Sequence, residues 1–188
     1  MRRWFPIQTE RLLLREFASG DEHDIQEYAG DPEVVRYADW GPNDLAATRV
    51  NLARRLAQQR EWPRDNIELA MELSGEGRVI GILRITVVDN GARTADFGYT
   101  LNRRYWRHGF ATEGAAALLN AAFVRMKLHR VWATCDARNH ASYRVMEKLG
   151  MRREAHFHKD VLQKGEWRDS YLYAILAEEW LALNEPRN

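Results

Sequence analysis

The chain has 188 residues, 45% hydrophobic and 29% charged, which suits one domain with a sizeable core and excludes a disordered chain. Its 28 basic and 27 acidic side chains leave a net charge of +1, which excludes a uniformly basic surface built for nucleic acid or anionic lipid. The single cysteine, Cys135, excludes an intrachain disulfide framework and a zinc site of paired thiolates. No leader or membrane-spanning run is read, so a soluble, cytoplasmic protein is expected.

Thr9 to Phe17 carries Leu12, Leu13 and Leu14 between charged residues and ends near Gly20-Asp21, the pattern of a partly buried strand before a turn. A helical zone is expected next. Asp31-Pro32 reads as an N-cap with proline at the first helical position, and Leu45 to Arg60 places Leu45, Leu52 and Leu56 on one face. From Ile67 the period changes to two, with Ile67, Leu69, Met71 and Leu73 alternating with Glu68, Ala70 and Glu72. Turns at Gly75-Glu76-Gly77 and Asp89-Asn90-Gly91 bound an apolar run from Val79 to Val88. Beyond them Ala95, Phe97, Tyr99 and Leu101 alternate, which predicts three antiparallel strands.

The strongest helical pattern runs from Thr112 to Leu128, with Ala115, Leu118, Leu119, Ala122, Phe123 and Met126 facing a sheet. Val131, Ala133 and Cys135 alternate as a short strand. Val145, Met146 and Leu149 then share a helix face that Gly150 closes as a C′ glycine. Strands at Arg153 to Leu162 and Trp167 to Leu176 flank a Lys164-Gly165 turn before a terminal helix at Glu178 to Leu183. The order β, αα, βββ, α, β, α, ββ, α predicts a single α/β (α+β) domain over residues 1–188. Its central sheet is mixed, mostly antiparallel and about seven-stranded, flanked by helices.

Two stretches carry candidate chemistry. Tyr105-Trp106-Arg107-His108-Gly109-Phe110-Ala111-Thr112-Glu113 joins a strand to the long helix. Small residues at Gly109 and Ala111 admit close backbone approach, and the unpaired N–H groups of a first helical turn favour an anion. The alternative is that Gly109 only turns the loop and Thr112 only caps the helix. Asn139-His140-Ala141-Ser142-Tyr143-Arg144-Val145-Met146-Glu147-Lys148-Leu149-Gly150-Met151 reads by itself as a capped helix.

Together, in this order of elements, the two stretches resemble the GNAT superfamily of acyl-CoA-dependent N-acetyltransferases, particularly its ribosomal-protein-alanine acetyltransferase-like (Rim-type) branch. The resemblance extends from Thr9-Glu10-Arg11-Leu12-Leu13-Leu14-Arg15 through Phe97-Gly98-Tyr99-Thr100-Leu101 to Trp167-Arg168-Asp169 and Glu178-Glu179-Trp180. It implies a GNAT-like sheet splayed between its two central strands and acetyl-CoA or coenzyme A as co-substrate, with no metal. It further implies that Arg107, His108, Gly109, Phe110, Ala111 and Thr112 cradle the pyrophosphate and that Tyr99, Thr100 and Leu101 pair with pantetheine. Asn139 and Ser142 would line the thiol end, with Lys148 a further cofactor contact.

The implied reaction is direct: an amine attacks the thioester carbonyl, a base keeps the amine neutral, and an acid protonates the departing thiolate. Cys135 as an acyl-carrying nucleophile is disfavoured, because it sits on the core-like face of its strand. Two positions depart from the superfamily pattern. Trp106 stands where many members carry Gln or Arg, and Met146 falls where many have a tyrosine acid, so Ser142 is the preferred acid with Tyr143 as its neighbouring alternative. The base stays open among Asp96, the alternating Glu154, His156, His158 and Asp160 of a later strand, and water. The Rim-type base position falls near Asp160 or Val161, and a one-residue register change would reverse which of them faces the cleft. His156-x-His158 lacks further ligands at suitable spacing and reads as a solvated face.

Trp40, Trp62 and Trp167, with Asp39, Asp44, Glu166 and Asp169, are candidate contacts for a cationic acceptor. By branch resemblance the acceptor is a protein N-terminal α-amine. A small amine such as a polyamine, amino sugar or amino-acid-like compound is the alternative, and a non-catalytic acyl-CoA sensor is a third reading. No nucleic-acid or membrane partner is expected: the basic cluster Arg103, Arg104, Arg107 and His108 coincides with the pyrophosphate loop. A homodimer through exposed strand edges stays open.

Overall fold

In the computed structural model, which describes residues 5–61 and 63–185, the apolar alternation becomes one eight-stranded sheet. Its strands are β1 (Ile7–Gln8), β2 (Leu12–Arg15), β3 (Asn66–Leu73), β4 (Val79–Asp89), β5 (Thr94–Leu101), β6 (Arg130–Asp136), β7 (Arg152–Gln163) and β8 (Glu166–Leu176). The spatial order is 1-2-3-4-5-6-8-7, and every neighbouring pair is antiparallel except β5 with β6. The α/β class stands, but the strand number is eight rather than about seven. The extra strand, β1, matches only Ile7 to Leu14 and Gln8 to Leu13 and is too short to show a period.

Five α-helices are present among the described residues: α1 (Glu22–Ala29), α2 (Leu45–Gln58), α3 (Phe110–Asn120), α4 (His140–Lys148) and α5 (Ala177–Leu183). None is long and apolar enough to cross a membrane. One sheet face carries Leu12, Leu14, Leu69, Met71, Leu83 and Phe97 into a core closed by Leu118 and Leu119 of α3. Gly114 lets α3 lie this close, since a Cβ there would stand 3.1 Å from both Leu83 Cδ1 and Met71 Cε. The other face carries Ala70, Val79 and Ile82 against Ile25 and Tyr28 of α1 and Leu52 of α2. Because β3 is buried on both faces, its small residue, Ala70, sits where α1 and α2 press on the sheet.

Three local expectations are corrected. Asp31-Pro32 starts no α-helix: the Asp31 carbonyl accepts from the Val34 and Val35 N–H groups and Asp31 Oδ1 from Glu33 N–H, capping turns only. The β-branched pair Val34-Val35 disfavours propagation, and Val35 is instead fully buried. The long helix begins two residues before Thr112, with Gly109 as N-cap at φ +85°, so Thr112 lies inside the first turn. It also ends early, passing into a π-turn over Ala121–Arg125 in which Met126 N–H donates to the Ala121 carbonyl at 3.0 Å. The wider turn keeps Ala121, Ala122 and Phe123 buried, so the apolar spacing hides it.

The C-terminal turns form as read. Gly150, at φ +78°, closes α4 in a Schellman motif: Met151 N–H reaches the Met146 carbonyl at 3.1 Å and Gly150 N–H the Glu147 carbonyl at 3.0 Å. Lys164 and Gly165 both take positive φ, 50° and 81°, as a two-residue hairpin of β7 and β8 requires.

Candidate active site

The sheet parts at its one parallel pair. β5 and β6 are matched only at Thr94–Arg130, Ala95–Val131 and Asp96–Trp132. Beyond Asp96, β5 continues beside β4 to Leu101 while β6 continues beside β8 to Asp136. The β6-facing backbone of β5 past Asp96 therefore has no strand partner among the described residues and is open to an extended amide chain. A cavity of about 760 Å³ opens at this parting. Asp96, Gly98, Tyr99 and Thr100 line it from β5, Trp132, Thr134, Cys135 and Asp136 from β6, and Asn139 and Ser142 from the start of α4. Tyr28, Trp40 and Arg54 close it on the α1–α2 side, and Val161, Arg168 and Asp169 on the β7–β8 side.

The loop after β5 is held by its own side chains. Trp106 Nε1–H donates to the Leu101 carbonyl at 2.8 Å, and buried Asn102 accepts Arg104 N–H at 3.1 Å. Arg107 and Gly109 both take left-handed conformations, φ +65° and +85°, and residues 106–109 are exposed. This backbone runs directly into α3, so the N–H groups of Phe110, Ala111 and Thr112 and the helix dipole face an open surface suited to an anion. Arg11, overlooked as a site residue in the sequence, braces the loop: its guanidinium donates to the His108 carbonyl at 3.0 Å and lies 4.4 Å from the Phe110 ring centroid. It also pairs with Glu113 at 2.6 Å, and Glu113 accepts from Thr9 Oγ1 at 2.6 Å. Burial alone would raise the Glu113 carboxyl, but the Thr9 and Arg11 hydrogen bonds prevail and hold it below the usual carboxylate range. Leu101 is buried in the core, while Lys148 is exposed in the last turn of α4.

Ser142 sits where α4 meets the parting strands. Asn139 Oδ1 accepts its N–H at 3.1 Å, and Tyr99 Oη donates to its carbonyl at 2.7 Å while lying 3.2 Å from its Oγ. Burial raises the Tyr99 phenol further from ionisation. Cys135 borders the same cavity, with Ser142 within hydrogen-bonding reach, and burial pushes its thiol up to about 11. A neutral thiol is a poor nucleophile, which agrees with a packing role.

The remaining catalytic candidates separate. Asp96 lines the cavity and pairs with Arg84 at 2.5 Å; Gly98 leaves room for that guanidinium, since a Cβ there would lie 3.3 Å from Arg84 Nη2. Arg84 was legible only as a charge interrupting the apolar run of β4. Glu154 lies outside the cavity, bound by Arg130, whose Nη1 is 3.0 Å away, and by Arg152. Tyr143 is also outside, packed 5.8 Å from the Tyr171 ring and 6.4 Å from Tyr173 around a separate cavity of about 360 Å³ beneath α4. Asp160 accepts from Ser170 Oγ at 2.6 Å, and it is Val161 that faces the large cavity. The break in β7–β8 register between Phe157 and Val161 decides that orientation.

Asp136 gave no sequence signal. Its side chain is 3% exposed and paired with Arg138 at 3.0 Å and Arg168 at 3.2 Å. Burial alone would raise this carboxyl, but the hydrogen bonds from Arg138 and Arg168 hold it low. Among the acceptor candidates, Asp39, Trp40 and Asp169 line the cavity. Asp44 caps α2 through Ala47 N–H at 2.7 Å, Glu166 and Trp167 are exposed on the hairpin outside the lining, and Trp62 lies outside the described residues.

A family profile, a sequence relative and two solved structures match this chain. The profile of the acetyltransferase (GNAT) domain family aligns with residues 11–152. The uncharacterized N-acetyltransferase YnaD of Bacillus subtilis is 39% identical over 177 residues, covering 93% of this chain and 98% of its own. The crystal structure of a GNAT-family acetyltransferase from Bacillus anthracis superposes with a TM-score of 0.81 at 38% identity, covering 92% of this chain and 98% of that one. Spermidine N-acetyltransferase from Vibrio cholerae, solved with CoA and spermine, shares the fold at a TM-score of 0.78 and 18% identity, covering 92% and 99%.

Proposed function

The chain belongs to the GNAT acetyltransferase family and is an acyltransferase enzyme, and from that premise we propose that it transfers acetyl directly from acetyl-CoA to a protein N-terminal α-amine. The observation that supports the acetyl-CoA half of this reading is the parting of β5 from β6, which gives the cavity one wall of unpartnered backbone and one end at Ser142. The donor fits the residues present. The left-handed Arg107–Gly109 backbone and the start of α3 suit its diphosphate, and the free edge of β5 at Tyr99 to Leu101 suits its amide arm. Asn139 and Lys148 add polar contacts along α4, and the thioester supplies the activated acetyl group.

Ser142 passes a proton to the departing thiolate and recovers it from the attacking nitrogen, which sheds its second proton as the amide forms; the Asn139 cap and Tyr99 orient the hydroxyl. Asp96, the one sequence-named carboxylate base that borders the cavity, takes the ammonium proton directly or through a water, while Arg84 fixes its position. The α-amine is favoured over a polyamine by charge. Of the five acidic residues on the cavity wall, Glu68, Asp96 and Asp136 are already paired with Arg55, Arg84 and Arg168 respectively, which leaves Asp39 and Asp169 to meet a cation, enough for one ammonium group but few for a polycation.

The test is thiol release from acetyl-CoA in the presence of short unblocked peptides, α-amine-blocked peptides and spermidine, with mass spectrometry of the products. Acetylation confined to free α-amines supports the proposal. Turnover with spermidine but with no peptide would move the acceptor to small amines.

A further inference from the structure

We propose that His156, His158 and Asp169 form a binding site for a divalent transition-metal ion on the rim of the cavity. In the sequence the two histidines are a pair without a third ligand. Pairing of β7 with β8 supplies it: His156 Nε2 lies 3.3 Å and His158 Nδ1 3.2 Å from Asp169 Oδ2, and the three ligand atoms all fall within 4.8 Å of one another.

The two imidazole–carboxylate separations are those of a metal site, and the imidazole–imidazole separation, within 4.8 Å, is the one that would have to close. Zinc bound tetrahedrally at about 2.0–2.1 Å holds its ligand atoms about 3.3 Å apart, so an ion fits here with small side-chain rotations. The local backbone explains why two histidines on one strand converge. β7 breaks register with β8 between Phe157 and Val161, and Lys159 takes φ +48°. The same bulge sends Lys159 N–H to Asp169 Oδ1 at 2.9 Å, which leaves the other carboxylate oxygen to the imidazoles. That contact is the outer hydrogen bond that commonly orients a ligating carboxylate. His156 is held edge-on against Tyr171, with centroids 4.8 Å apart.

Two imidazoles and one carboxylate suit zinc, nickel or copper; magnesium and calcium call for oxygen ligands alone. Three protein ligands leave a coordination position open, and because Asp169 also lines the large cavity, the ion would stand at its mouth.

The experiment uses tag-free, chelator-treated full-length protein, titrated with Co2+ and Zn2+ and, for comparison, Mg2+. One Co2+ per chain is expected, with the intense visible bands of four-coordinate cobalt, displaced by Zn2+ and absent with Mg2+. Affinity should fall by about 10- to 100-fold or more in His156→Ala and in Asp169→Asn, and stay unchanged in Cys135→Ser, which removes the thiol as a competing ligand. Circular dichroism checks the folding of each variant, and His158→Gln, at the more exposed ring, asks the same question if either unfolds. Absence of stoichiometric binding, or binding kept in any folded ligand variant, overturns the proposal and leaves an exposed ion-paired cluster.

Discussion

Tyr99 Oη donates to the Ser142 carbonyl oxygen at 2.7 Å, so β5, which parts from β6, and the helix at the end of the gap are tied together through one side chain. Removing that donor leaves the Ser142 hydroxyl in place but less well aimed. Tyr99→Phe should lower kcat by roughly tenfold and stability by about 1 kcal/mol. Ser142→Ala, which removes the proposed proton donor, should lower kcat by about 10²- to 10⁴-fold. Steady-state kinetics on the two variants, with urea unfolding for Tyr99→Phe, check both values and their order.

Asp96 and Glu154 were equivalent candidates as isolated carboxylates, and the structure separates them. Asp96→Asn should lower kcat by about 10²- to 10⁴-fold with acetyl-CoA affinity unchanged, because the substitution keeps size and removes the proposed base. Glu154→Gln should leave kcat within a factor of about two, since it breaks only exposed pairs with Arg130 and Arg152. Equal losses in the two variants would refute the assignment.

Gly109 sits at φ +85° as the N-cap of α3, with Arg11 Nη2 3.4 Å from where a Cβ would be. Gly109→Trp places an indole across the proposed anion site and costs about 1–2 kcal/mol of backbone strain. The domain should stay folded while acetyl-CoA affinity falls at least about tenfold, or ~1.4 kcal/mol. Calorimetric titration of folded wild type and variant decides it.

Glu113 ties the start of α3 to Thr9 and Arg11. Its folded pKa is lowered by those bonds, so its contribution to stability is fully present above the unfolded value of about 4.3 and is lost as pH falls through the folded value. Glu113→Gln should therefore be less stable than wild type at neutral pH, and the gap should narrow in acid. Urea midpoints measured across that range test the sign, and a gap that widens in acid would contradict it.

The sequence by itself determined most of the elements and several of the turns that end them, but neither β1 nor the absence of an α-helix at Asp31-Pro32. Ile67 to Leu73 declares a strand by its period, Gly150 and Lys164-Gly165 occupy left-handed positions that local turn chemistry demands, and Gly109 marks the loop before α3. These are short-range consequences of backbone sterics and side-chain spacing, so they can be read without knowing what each element touches. The π-turn after Asn120 escaped because it leaves the apolar face unbroken.

Only the tertiary structure decided which chemical groups meet. Whether Asp160 or Val161 faces the cavity depended on a bulge against β8, and the partners of Asp96, Asp136 and Asp169 come from other strands or the far side of a turn. A carboxylate looks the same in sequence whether it is aimed into a cleft or held by an arginine. Register, burial and ion pairing distinguish the two, and those are fixed by contacts between residues distant along the chain.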